Sequence, residues 1–154
     1  VIRLPAAVEA MLRAVAGAAY PEECCGLVVG RAEADGALRI DRAVASRNVA
    51  AAGRRRTRFE VDPAVRFAIM RELTGSPEAL VGHYHSHPDR PAEPSDHDRA
   101  MAFEADLVWL IIPVAAGIAG RVRAWQPAAD GFVERTIAIE AAAGRESGYG
   151  VGGR

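Results

Sequence analysis

A chain of 154 residues, half of them hydrophobic and a quarter charged, has the length and composition of one folded domain rather than a disordered segment. Its net charge of −1 supplies no basic field for nucleic acid, and no apolar stretch approaches the roughly 20 residues needed to span a membrane. The two cysteines are neighbours, Cys24-Cys25, which excludes a Cys-x-x-Cys zinc knuckle and reads as two reduced thiols of a cytoplasmic protein.

The opening Val1-Ile2-Arg3-Leu4-Pro5 lacks the long apolar region and cleavage site of a signal peptide. Apolar residues at Val8, Met11, Leu12, Val15 and Ala19 recur at helical spacing and predict a helix over 6–19, ended by Pro21. Cys25 to Gly30 is a continuous apolar run bounded by glycine, the pattern of a buried strand. Residues 37–46 alternate weakly and predict its hairpin partner across Asp35-Gly36. Residues 47–58 have no period and read as a loop, followed by a short extended piece at Phe59-Glu60-Val61. Asp62 as N-cap and Pro63 at the first helical position start a helix that runs to about Leu73.

Residues 79–87 predict a strand. Ser95 then caps a helix through about Glu104, with Asp98 at its third position in a capping-box pattern. Leu107 to Val114 is a second apolar strand, and residues 121–126 pair with 131–139 around an Asp130-Gly131 turn. The sum is a mixed α/β domain over residues 1–143, a central sheet flanked by about three helices, with a flexible glycine-rich tail at 144–154.

Most of the chemistry lies in residues 83–98, His-Tyr-His-Ser-His-Pro-Asp-Arg-Pro-Ala-Glu-Pro-Ser-Asp-His-Asp. A single histidine on an apolar strand is usually a hydrogen-bonded core residue. His83, His85 and His87, however, alternate along one strand face. At about 3.3 Å per residue, positions 83 and 87 lie roughly 13 Å apart, too far for both to reach one ion comfortably. Adjacent members must pair, and because the Asp98 segment follows His87, the pair is His85 with His87. Pro88, Pro91 and Pro94 stiffen the connection and limit where the next helix can begin. Asp98 in its first turn then completes a set of three ligands with an open fourth position, the arrangement of a catalytic zinc site. Ser95 has two readings, a helix N-cap and a hydroxyl within reach of a substrate carbonyl.

The pattern His85-Ser86-His87, seven residues, Ser95, two residues, Asp98 resembles the JAMM motif of MPN-plus zinc metalloproteases. Pro21-Glu22-Glu23-Cys24-Cys25-Gly26-Leu27 is similar to the Pro-x-Glu-x-Cys-Gly-Leu segment of the compact prokaryotic members, and Phe59-Glu60-Val61-Asp62-Pro63 extends the likeness. The resemblance implies a curved mixed sheet related in architecture to the cytidine deaminases. It also implies one Zn2+ per chain on His85, His87 and Asp98, carrying a water whose pKa is lowered toward about 7. Glu23 becomes the catalytic glutamate that accepts and returns the proton, Glu22 its exposed neighbour, and Ser95 the donor to the oxyanion.

The absence of His-Glu-x-x-His argues against thermolysin-type proteases, and the absence of Pro-Cys-x-x-Cys argues against nucleoside deaminases. RadC-like proteins share part of the motif but usually carry Ser-Gly where this chain has Asp89-Arg90. The compact members act on ubiquitin-like or sulfur-carrier proteins, so the expected activity is an isopeptidase or peptidase cleaving after a C-terminal Gly-Gly, with no nucleic-acid or membrane partner and a homodimer left open. The alternatives are a non-catalytic MPN scaffold, which has usually lost one of the four key residues, and a sulfur-metabolism enzyme reusing the site. Arg54, Arg55, Arg56 and Arg58 read either as a solvated charge run or as a contact for an acidic partner.

Overall fold

The computed structural model describes residues 1–142. In chain order the elements are β1 (Ile2–Pro5), α1 (Ala6–Ala19), β2 (Cys25–Ala32), β3 (Leu38–Ser46), a 3-10 turn (Ala52–Arg54), α2 (Pro63–Glu72), β4 (Ala79–Pro88), α3 (Asp96–Ala100), β5 (Val108–Ala115), β6 (Ile118–Ala119), β7 (Arg123–Ala128), β8 (Gly131–Arg135) and β9 (Ile137–Glu140). The expected glycine-rich tail at 144–154 lies outside the described residues.

The strands form one mixed sheet in the order β8-β7-β5-β4-β2-β3-β1-β9, with β6 against β5. β2 and β3 are the predicted antiparallel hairpin, and β4 lies antiparallel to β2 and parallel to β5. Strand periodicity sorts β4 into two faces. Tyr84 points to the face covered by α1, where it joins Leu12, Ala16, Val28, Leu110, Ile112 and Val114 in a buried core. A Cβ on Gly26 would overlap the Tyr84 ring, so a residue without a side chain is required there. The opposite face carries Leu27 and Val29, against which α2 packs through Ile69 and Val65. His85 lies opposite Cys25 and His83 opposite Leu27, which puts the alternating histidines on the α2 face.

Three elements differ from the sequence expectation. Residues 2–5 are a strand, parallel to both β3 and β9, with Ile2 and Leu4 fully buried. The run 131–139 is not one strand: β8 pairs with β7, and after Thr136 the chain becomes β9, which pairs with β1 at the other end of the strand order. A single residue thus joins the two outer strands, and the Ile2 N–H donates to the Thr136 carbonyl at 2.8 Å. The two ends of the sheet therefore approach each other at Thr136, and the sheet is curved. Finally, α3 stops at Ala100 with Met101 as its C-cap instead of reaching Glu104. Glu104 leaves the helix and pairs with Arg66 of α2 at 2.8 Å.

Candidate metal centre

His85 and His87 project from one face of β4, and α3 brings Asp98 against them; all three are essentially removed from solvent. His85 Nε2 lies 3.1 Å from His87 Nε2, and Asp98 Oδ2 lies 3.3 Å from the first and 3.0 Å from the second. Ligand atoms of a tetrahedral zinc with bonds of about 2.0–2.1 Å stand about 3.3–3.4 Å apart, so the spacing fits such an ion. The donor set fits as well. The N–H at Nδ1 of His87 donates to the Pro91 carbonyl at 2.7 Å, which leaves its Nε2 lone pair facing the triad. The His85 ring stacks on Phe59 with centroids 4.2 Å apart.

The position of Asp98 follows from local helix chemistry. Ser95 Oγ accepts from the Asp98 N–H at 3.0 Å, and Asp98 Oδ2 accepts from the Ser95 N–H at 2.9 Å, the reciprocal capping box predicted from sequence. The carboxylate oxygen at the triad is thereby held by the first turn of α3. Burial alone would raise the pKa of Asp98, but the adjacent His85 and His87 imidazoles and the Ser95 N–H outweigh it and hold the carboxyl far below the usual range. Burial lowers the His85 pKa, which keeps the imidazole neutral, as a metal ligand must be.

His83 is not part of the cluster. Its ring lies edge-on to Trp109 at 4.4 Å, and burial pushes its pKa down to about 3, so it serves as an uncharged aromatic wall. The triad of His85, His87 and Asp98 is the group of candidate ligands among the described residues.

Glu23 arrives from the segment between α1 and β2. Its N–H donates to the Arg55 carbonyl at 2.7 Å, and its carbonyl accepts from Asn48 Nδ2 at 3.2 Å. The side chain is buried, with Oε1 ion-paired to the Arg90 guanidinium and Oε2 lacking any protein partner. Burial pushes its pKa up to about 8; Arg90 opposes this and Asp98 adds to it. Glu22, expected to be exposed, is half-buried.

Arg90 and Asn48 were not singled out by sequence reasoning as site residues. For Arg90 the available signal was the Asp89-Arg90 pair where related motifs carry Ser-Gly. Asn48 lies in a stretch without period and gave no signal, yet it ties Glu23, Ala50, Arg58 and Glu60 together through its amide. Arg55 is no free surface charge either, because its Nε donates to the Ala50 carbonyl at 2.8 Å. Both cysteines are free thiols, and no helix among the described residues is long and apolar enough to cross a membrane.

Three buried protein ligands on a curved mixed sheet, with a fourth position left for water or substrate, define a zinc metallopeptidase site of the JAB/MPN type. The chain belongs to the prokaryotic homologs of the JAB domain, whose family model matches residues 5–127. It is 32% identical over 120 residues to the Desampylase of Haloferax volcanii, a match covering 78% of this chain and 80% of that protein. It is 31% identical over 104 residues to Tail tip assembly protein K of Escherichia phage N15, where the match covers 66% of this chain but only 36% of the phage protein. The fold is shared with a solution structure from Desulfitobacterium hafniense at a TM-score of 0.79 and 26% identity, covering 92% of this chain and 94% of that one. A second solution structure, from Salinibacter ruber, matches at a TM-score of 0.67 and 29% identity over 89% of this chain and 91% of that one.

Two predictions follow from this geometry. Purified protein should hold one zinc per chain by elemental analysis; His85→Ala or His87→Ala should each abolish it, whereas His83→Ala should leave it nearly unchanged. Loss on His83→Ala with retention on His87→Ala would contradict the ligand set. The second prediction concerns the metal-free protein. Glu23 there has a pKa raised to about 8 from the ordinary 4.5, so the folded state binds an extra proton between those values. Its contribution to stability is therefore greatest below the lower value and is lost as pH rises through the upper one. In urea unfolding with a chelator, Glu23→Gln should become more stable relative to wild type on going from about pH 5 to about pH 8.5. A difference independent of pH would contradict the burial argument.

Proposed function

We infer that the chain is a zinc-dependent isopeptidase that hydrolyses the amide following the C-terminal Gly-Gly of a ubiquitin-like or sulfur-carrier protein. The observation that carries this reading is a buried carboxylate with one free oxygen, Glu23 Oε2, near enough to Asp98 of a complete triad for their charges to interact. The similarity to a Desampylase supports it. The catalytic domain on this reading is residues 1–143.

His85, His87 and Asp98 would hold the zinc, which when bound would supply a Lewis acid able to acidify water and polarise the scissile carbonyl. Glu23 takes a proton from the attacking water and returns it to the departing amine, so the carboxylate ends each turnover unchanged. The unpartnered Oε2 suits this role, because it is free both to accept and to release a proton. Ser95 uses its hydroxyl oxygen to cap α3, and its O–H hydrogen is left to donate to the scissile carbonyl oxygen as negative charge builds there. A cavity of about 270 Å³ beside Asp98, walled by Phe59, Val61, Leu107 and Trp109, gives the substrate chain an apolar approach. Glycines at the scissile end bring no side chains into the crowded metal cleft. A scaffold without activity is disfavoured because all four of His85, His87, Asp98 and Glu23 are present and buried.

The test is to mix zinc-loaded protein with a Gly-Gly-linked ubiquitin-like fusion, with and without chelator, and follow release by mass spectrometry. Cleavage should require metal and slow strongly when the Gly-Gly is replaced by Ala-Val. Glu23→Gln should keep its zinc and lose about 10²–10⁴ in rate, while Glu22→Gln should stay close to wild type. Failure of the zinc-loaded protein to cleave any such fusion, or indifference to the Ala-Val change, would overturn the assignment.

A further inference from the structure

Asp89 and Arg90 follow the metal-binding strand directly, yet neither ligates the metal nor caps a helix. Asp89 has a left-handed backbone, with φ of 54°. Its N–H donates to the Val114 carbonyl at 2.6 Å, its Oδ1 accepts from the Ala116 N–H at 3.1 Å, and its Oδ2 accepts from the Tyr20 hydroxyl at 2.6 Å. The loop is thus fastened both to the end of β5 and to the end of α1. Tyr20 stands three residues before Glu23, so the corner ties the segment bearing the buried carboxylate to the strand bearing the ligands. From this corner Arg90 reaches Glu23 and pairs with Oε1 alone.

The pair is a poor device for stability. Glu23 Oε2 and Arg90 Nε are both buried without a partner, and an ion pair with unmet hydrogen-bonding capacity costs desolvation that its attraction does not fully return. Its effect on the site is more specific. One carboxylate oxygen is occupied, the rotamer is fixed, and the remaining oxygen is the one left to exchange a proton. We propose that Arg90, anchored by the Asp89–Tyr20 corner, is the positioning residue that holds Glu23 in its proton-transferring orientation. The inference rests on the peptidase reading above and adds to it a residue outside the ligand set and the base.

Wild type, Arg90→Gln, Arg90→Lys and Tyr20→Phe proteins, each zinc-loaded, are compared on the same Gly-Gly fusion across a range of substrate concentrations. Arg90→Gln should lose about tenfold to a hundredfold in kcat with KM within about twofold and zinc content unchanged. Arg90→Lys should recover most of the loss, since the contact uses a single nitrogen, and Tyr20→Phe should fall between wild type and Arg90→Gln. Unchanged kcat in Arg90→Gln, a loss confined to KM, or a gain in kcat would each overturn the proposal. The orientation is also read without substrate. In crystals of zinc-loaded Arg90→Gln the Glu23 carboxylate should spread over more than one rotamer, where the wild type holds one. A single unchanged rotamer in the variant would overturn the proposal whether or not any fusion is cleaved, whereas inactivity of the wild type with the rotamer shift present would count against the substrate assignment alone.

Discussion

Two imidazole nitrogens and a carboxylate oxygen, all stripped of water, meet within 3.3 Å of one another at one point of the sheet. Such a cluster concentrates lone pairs where no solvent can satisfy them, and a cation is the natural partner. Much of the local structure serves to hold it. The twofold period of β4 aligns the histidines, the Pro91 carbonyl sets the His87 tautomer, and the α3 capping box aims Asp98. The opposite face of β4 is sealed by α1 and Tyr84, so the strand bearing the ligands is backed by a packed core.

Two carboxylates share this site with opposite fates. For Asp98, the neighbouring imidazoles and the Ser95 N–H overcome burial and hold it ionised, as a ligand must be. For Glu23 in the metal-free protein, burial prevails over the pull of Arg90 and raises the pKa to about 8. The same chemical group is driven toward its charged or its neutral form according to its neighbours. That division needs three separate stretches of chain: the turn after α1, the loop after β3 and the corner after β4. The loop after β3 contributes through Asn48 and Arg55, which hold the Glu23 backbone on both sides.

The ligands were legible because their spacing is local. His85 and His87 are fixed by strand period, and Asp98 by a capping box written within four residues. The long elements α1, β2, β4 and β5 were legible from periodicity and apolar runs. The burial of Glu23 was not legible from the residues themselves, because a glutamate between helix and strand is ordinarily solvated; only the family resemblance drew attention to it. Arg90 and Asn48 act across 67 and 25 residues of chain, separations at which a single sequence carries no signal. The same reason hid β1 and the division of 131–139 into β8 and β9. Both depend on the sheet curling until its outer strands share Thr136, a tertiary closure that overrides the local alternation.

The most direct measurement of the central claim is the zinc X-ray absorption spectrum of the loaded protein. The spectrum should show a shell of nitrogen and oxygen scatterers at about 2.0–2.1 Å, with outer-shell scattering from two imidazoles. Sulfur at about 2.3 Å would place the metal on Cys24 or Cys25, and scattering from three imidazoles would bring in His83 or His97; either result would contradict the His85, His87 and Asp98 ligand set.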